Sequence, residues 1–240
     1  MSKRVKIIAF TAGLVILFFI LQYDYFKAKE SWSSWSLPLS GQIILLDPGH
    51  GGPDGGAGTK DALEKDIALS ISKKLRDYLQ EQGALVIMTR EEDTDLAADG
   101  TKGYSRRKVE DLKKRLAMIN ESEANFFISL HLNAIPSQKW SGAQTFYGPQ
   151  LKENAKAAKF IQDEFKINLE NTDRKAKSLS SVYILKNAKK PGVLVEVGFL
   201  SNPTEKELLK TEEYQDKVAA SIYKGMLRYY SNENEIVEME

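Results

Sequence analysis

The chain has 240 residues, with 34 Lys and Arg against 33 Asp and Glu, a net charge of +1 and no cysteine. That balance argues against nucleic acid as a partner, for which a basic face is expected. Without cysteine, disulfides, a thiolate nucleophile and a thiolate zinc site are excluded, so any metal must fall to His, Asp and Glu.

Lys3, Arg4 and Lys6 precede an unbroken apolar run from Ile7 to Leu21, closed by Gln22 and Asp24. As a helix this run would be roughly 22 Å long against a ~30 Å hydrocarbon core, a length that suits a signal sequence. No small-x-small cleavage site follows, since Ala28 is succeeded by Lys29 and Glu30. Residues 1–26 therefore read as an uncleaved signal anchor, with secretion the outcome if the segment is cut. Basic residues before the run stay inside, which places the remainder on the extracytoplasmic side of the membrane. Residues 27–41 read as a Ser-rich linker carrying Trp32, Trp35 and Pro38, residues 42–231 as one folded domain, and residues 232–240 as an acidic tail.

From Gln42 onward strand and helix patterns alternate. The predicted strands are Ile43–Asp47, Ala84–Met88, Phe126–Leu132, Ala143–Tyr147, Val182–Leu185 and Val193–Val197. The predicted helices are Leu63–Gln82, Arg106–Ser122, Lys152–Leu169 and Thr211–Tyr230. In the first helix Leu63, Ile67, Ile71, Leu75 and Leu79 recur every four residues as one buried stripe. Strands apolar throughout, such as VLVEV, imply a sheet covered on both faces, hence a largely parallel α/β core. The polar stretch from Glu91 to Ser105 is too long for an ordinary connection and is expected as a surface loop near the site.

Only two histidines are present, and each lies at the exit of a predicted strand: His50 in LLDPGHGGPDGGAG and His131 in FFISLHLNA. In open parallel sheets, sites form at the carboxyl ends of strands, and imidazole is the commonest side-chain metal ligand. The pair points to one metal site. Glu196, inside VLVEV, is a carboxylate in an apolar strand, costly unless paired, metal-bound or held near its neutral form. It is either a buried structural carboxylate or the group that shuttles a proton during metal-assisted hydrolysis. Glu64 has two readings. Asp61-Ala-Leu-Glu64 has capping-box spacing, a complete structural account, while a His2Glu zinc shell would need such a carboxylate. The spacing is not H-E-x-x-H, and neither a Walker loop nor G-x-S-x-G occurs, which leaves a nucleotide site weak and a serine triad unsupported.

The ordered motifs LLDPGHGGPDGGA, LEKDIAL, MTR, FFISLHLNA and PGVLVEVGFLSN resemble those of the zinc-dependent N-acetylmuramoyl-L-alanine amidases of the amidase-3 type, over about residues 42–230. The short N-anchored form with KGYSRR at Lys102–Arg107 is similar to the germination-specific, spore-cortex branch of that family. The resemblance implies a three-layer α/β sandwich with a mostly parallel, six-stranded mixed sheet flanked by helices. It implies Zn2+ held by His50, Glu64 and His131, with Glu196 as general acid/base, and it favours the ligand reading of Glu64 over the capping box. Asn133 and Arg115 also match recurrent family positions and are expected to be supporting or structural. The implied reaction cuts the amide between the lactyl group of N-acetylmuramic acid and the L-alanine of the peptidoglycan stem peptide, toward muramic lactam in the cortex. Expected partners are peptidoglycan, the membrane through the N-terminal segment, a polysaccharide deacetylase acting next and an activator protein. Two other readings stand beside it: a peptidoglycan- or partner-binding protein of the same fold needing an activator for turnover, and a zinc peptidase acting within the stem peptide.

Overall fold

The apolar runs become the centre of one sheet. The strands are β1 (Ile43–Pro48), β2 (Gly58–Thr59), β3 (Ala62–Leu63), β4 (Leu85–Met88), β5 (Phe126–Asn133), β6 (Gln144–Tyr147), β7 (Lys177–Ser178) and β8 (Gly192–Phe199). The helices are α1 (Glu64–Glu81), α2 (Tyr104–Glu121), α3 (Lys152–Leu169), α4 (Tyr183–Asn187), α5 (Pro203–Leu209) and α6 (Glu212–Tyr230). The computed structural model describes residues 2–5, 10–20, 22, 37–231 and 233.

Six strands lie in the order β4-β1-β5-β8-β6-β7, and β2 and β3 form a separate antiparallel hairpin. β4, β1, β5 and β8 are mutually parallel; β6 runs antiparallel to β8, and β7 runs parallel to β6. One face is covered by α1, α3 and α6, whose Ile67, Ile71, Leu75, Leu79, Ile161, Phe165, Val218 and Ile222 pack on Ile44, Leu46, Ile128, Val193 and Val195. The other face carries Leu45, Phe127 and Leu194 beneath Ile119 of α2 and Ile184 and Leu185 of α4. Each such fully buried Leu, Ile or Phe side chain contributes about 1.5–3 kcal/mol, so both faces hold the sheet. The result is the expected three-layer α/β sandwich around a six-stranded mixed sheet.

Two assignments made from the sequence are corrected. Val182–Leu185 is not a strand: Val182 is the N-cap of α4, with Lys186 N donating to Val182 O. A four-residue apolar run has no period long enough to separate strand from helix. Here the helix buries Ile184 and Leu185 together against the sheet face. The sixth strand is instead β7, two exposed polar residues paired with Phe146 and Tyr147. α4 and α5 thus stand beyond the four predicted helices.

The chain divides into two units, Met1–Leu37 and Pro38–Glu240. In the first, residues 10–20 are helical, with Phe10, Leu14, Val15, Leu17 and Phe19 exposed. The remainder of the run expected at Ile7–Leu21, most of the linker with Trp32 and Trp35, and nearly all of the acidic tail lie outside the described residues. Among the described residues no helix is long and apolar enough to cross a membrane.

Candidate metal centre

The loop leaving β1 is shaped by two buried arginines. Arg115 of α2 donates to Pro48 O at 2.6 Å and to His50 O at 2.5 Å. Arg90, just past β4, donates to Pro48 O at 3.1 Å and to Gly49 O at 2.9 Å. Three successive carbonyls are thereby fixed, and His50 is held at φ 61°, a left-handed backbone unusual for a residue with a Cβ. Its Nδ1 lies 2.8 Å from Asp54 Oδ2. Asp54 in turn accepts from Tyr104 Oη at 2.8 Å and from Gly56 N at 3.1 Å, and Lys108 Nζ stands 3.0 Å away. With Nδ1 so engaged, His50 Nε2 faces Glu64 Oε2 at 3.2 Å. A carboxylate fixing one ring nitrogen while the other faces a ligand position is the usual support of a metal-binding histidine.

Glu64 opens α1 directly after the β2–β3 hairpin. It forms no capping box: the N-cap is Leu63, without a side-chain cap. Instead Glu64 Oε2 accepts from Ala57 N at 2.7 Å and Oε1 accepts from Leu132 N at 3.0 Å. Oε1 also lies 2.9 Å from His131 Nδ1. Asp61, the other half of the expected box, accepts from Thr59 Oγ1 and pairs with Lys206.

One donor atom each from His50, Glu64 and His131 lies within 4.8 Å of the others, so these three residues could hold a metal ion. Two imidazoles and one carboxylate are a donor set suited to a borderline ion such as zinc. Glycines make the convergence possible. A Cβ at Gly49 would sit 2.4 Å from His131 Cε1, and one at Gly56 would sit 2.5 Å from Glu64 Oε2. Gly49→Ala is therefore expected to displace the His131 ring and weaken metal binding ~10–100-fold, the range seen when groups supporting a ligand are lost. Chelator competition against the unmodified protein measures it.

Electrostatics follow the geometry. Burial alone would lower the His50 pKa, but the carboxylates of Asp54 and Glu64 raise it to about 9. Burial works against ionised Glu64 and Asp54 too, yet His131 and His50 hold the Glu64 carboxyl, and His50 with Tyr104 and Lys108 the Asp54 carboxyl, well below the usual carboxylate range. Glu196 behaves oppositely. It pairs with His131 across β5 and β8, and its Oε2 is buried with no hydrogen-bond partner. Burial, reinforced by the Glu64 charge and opposed by His131 and His50, pushes its pKa up to about 7. Behind the centre, Asp47 is fully buried and accepts from Thr89, Ser129 and Arg115.

All four residues singled out from the sequence thus meet at the carboxyl ends of β1, β5 and β8. Arg115 proves to be a buried support of the loop carrying His50. Sequence reading missed Asp54, Arg90 and Asp47 as supports. Asp54 sits four residues after His50 in the same glycine-rich loop, and Arg90 lies two residues past the end of β4, which are the available signals.

An α/β sandwich with two imidazoles, a carboxylate and a high-pKa glutamate at the strand ends has the architecture of a metal-dependent hydrolase. Residues 44–228 match the N-acetylmuramoyl-L-alanine amidase family of the amidase-3 type, and the chain belongs to that family and is an enzyme of that class. It is 61% identical over 235 residues to the germination-specific N-acetylmuramoyl-L-alanine amidase of Bacillus subtilis, covering 98% of this chain and 99% of the relative. The fold is similar to the CwlD amidase from Clostridioides difficile, solved in complex with the GerS lipoprotein: TM-score 0.77, 43% identity, 80% of this chain and 99% of that one. An N-acetylmuramoyl-L-alanine amidase from Clostridium difficile 630 superposes with TM-score 0.70 at 30% identity, covering 80% of this chain and 98% of that one.

Proposed function

We propose that this chain is a zinc-dependent amidase that hydrolyses the bond between the lactyl group of N-acetylmuramic acid and the L-alanine of the stem peptide. In this reading it acts on spore cortex peptidoglycan, toward muramic lactam and germination. The carrying observation is the convergence of His50, Glu64 and His131 donor atoms within 4.8 Å, with Glu196 in register beside His131. His50, Glu64 and His131 would hold the ion. When bound, zinc supplies Lewis acidity at the scissile carbonyl and acidifies water at the same place. Glu196 accepts the proton released as water attacks and returns it to the leaving amine; a carboxyl poised near neutrality can do both. Asp54 fixes the His50 ring, and Arg115 and Arg90 fix the backbone beneath it.

The role in germination rests on the high identity to the Bacillus relative over nearly its whole length. A polysaccharide deacetylase would act on the stripped muramic acid next. The complex of the Clostridioides amidase with a lipoprotein supports an activator for this chain as well. Residues 1–26 would anchor the enzyme with residues 42–231 outside the membrane, residues 27–41 serving as linker and 232–240 as a tail.

Mass spectrometry of purified peptidoglycan digested with and without chelator tests the reaction. New muramoyl lactyl carboxylates matched by free L-alanine N-termini are expected, and lost with chelator; cleavage between amino acids would sink the reading. A second expectation concerns pH. With its pKa raised to about 9 in the metal-free protein, His50 binds a proton where the metal must bind. Metal affinity is expected to rise about tenfold per pH unit from near neutrality and level off near the His50 pKa, since each ion bound displaces a proton. Titration at several pH values against a metal indicator reads the slope.

A further inference from the structure

Beyond Glu196 the sheet carries a second group of side chains on the face of the metal centre. Directly paired residues on neighbouring strands point to one face. His131, Glu196 and Gln144 therefore form a row across β5, β8 and β6. The register slips by one residue after this row, so that Phe199 rather than Gly198 pairs with Asn133. The bulge turns Phe199 onto the face of His131 and Glu196.

Over Phe199 lies Arg174. Its guanidinium carbon is 5.2 Å from the Phe199 ring centroid and 5.4 Å from that of Trp140, which is 52% exposed. One Arg174 nitrogen donates to Ser141 O at 3.2 Å. Among the described residues no carboxylate forms an ion pair with it. Glu205, whose titration feels the Arg174 charge, has its carboxylate committed to Phe199 N and Gly142 N. Gln144, next to Glu196, donates to Lys175 O at 3.0 Å, tying the Arg174 segment to the edge of the site.

We propose that Arg174, clasped by Trp140 and Phe199, binds the carboxylate of the second residue of the stem peptide and so selects which stems enter the cleft. The inference rests on the amidase reading above. Aromatic rings about a guanidinium keep it charged and oriented and leave its in-plane N–H groups as the recognition edge, matched to a planar carboxylate. The spacing fits. Phe199 lies three positions past Glu196 on β8, ~10 Å along the strand, within the reach of about three extended peptide residues. The first residue past the cleaved bond is L-alanine, and the second, a γ-linked D-glutamate, carries the first free carboxylate.

The test uses two muramoyl L-alanyl-γ-D-glutamyl-L-lysine tripeptides, one with the glutamate α-carboxylate free and one with it amidated. Their binding to the full chain carrying Glu196→Gln, which slows their turnover, is measured by calorimetry with and without Arg174→Gln. The free acid is expected to bind ~10–100-fold tighter than the amide, as for hydrogen bonds to a charged group, and Arg174→Gln should erase that preference. Arg174→Lys, which keeps charge but loses the fork, should retain only part of it. Three results would overturn the proposal: no preference in the parent, a preference surviving Arg174→Gln, or equal weakening of both ligands, which would mark Arg174 as only holding the Ser141 loop. Product analysis of the unsubstituted enzyme separates the two readings. Cleavage at the muramoyl amide without carboxylate preference sinks the Arg174 assignment alone, and cleavage elsewhere sinks the amidase reading.

Discussion

Glu196→Gln is expected to reduce kcat/KM by about two to four orders of magnitude while leaving metal affinity nearly unchanged, the size of effect general acid–base groups exert. The substitution keeps shape and volume and removes only the proton-accepting oxygen. Glu196 Oε2 makes no hydrogen bond within the protein, so no structural bond is lost with it. Stability should move the other way. An acid whose folded pKa is raised costs stability above its unfolded value of 4.5, and the cost keeps growing until pH passes the folded value of about 7. The glutamine variant is therefore expected to melt higher than the parent at alkaline pH in the metal-free state, with the gap closing as pH falls toward the unfolded value. Activity falling while stability rises is the signature of a residue kept for chemistry rather than packing. Loss of metal from the variant would show instead that Glu196 is a ligand.

The parts of this molecule legible in the sequence are those written in a single local pattern. The α1 stripe of Ile67, Ile71, Leu75 and Leu79 has a helical period, and all four are buried on one face, while Leu63, predicted to begin it, is half-buried and ends β3 as the N-cap. VLVEV, apolar but for one residue, announces both a doubly covered strand and a group needing explanation. What stayed illegible depends on tertiary context. β7 consists of Lys177 and Ser178, exposed and polar, and is a strand only because Phe146 and Tyr147 lie alongside. VYIL at Val182–Leu185 has strand composition, yet tucking two adjacent apolar side chains under the sheet favours a helical turn. α5 carries a local signal of its own: Asn202 accepts from Glu205 N as its N-cap, and Pro203 follows at its start. Glu64 marks the boundary. Spacing favoured a local cap, and only motif resemblance pointed to the ligand position that the fold then placed beside His50 and His131.

Arg115→Met is expected to destabilise the metal-free protein by about 3–5 kcal/mol, the cost of leaving a buried ion pair with one member. Arg115 is 1% exposed, and its guanidinium lies 2.8 Å from both Asp47 and Asp111. For a domain of this size that loss corresponds to a fall of roughly 6–20 °C in Tm, readable by calorimetry. The pH dependence identifies the cause. Burial pushes the Asp47 pKa up, but Arg115, with the hydroxyls of Ser129 and Thr89, holds it below its usual value of 3.8. In the parent, Asp47 therefore contributes stability above that value and loses it as pH falls through the lower folded pKa. Without Arg115 the burial penalty is no longer opposed by the guanidinium, the carboxyl titrates higher, and acid relieves the variant by protonating Asp47. The difference in Tm between the two proteins should thus narrow from neutral pH toward pH ~4. Asp47→Asn placed on Arg115→Met should recover part of the loss, because the stranded charge is removed, whereas independent sites would add their costs. Metal affinity should fall in Arg115→Met and not be restored by the second change. The hydrogen bonds that Arg115 gives to Pro48 O and His50 O fix the His50 backbone, and nothing at Asp47 replaces them.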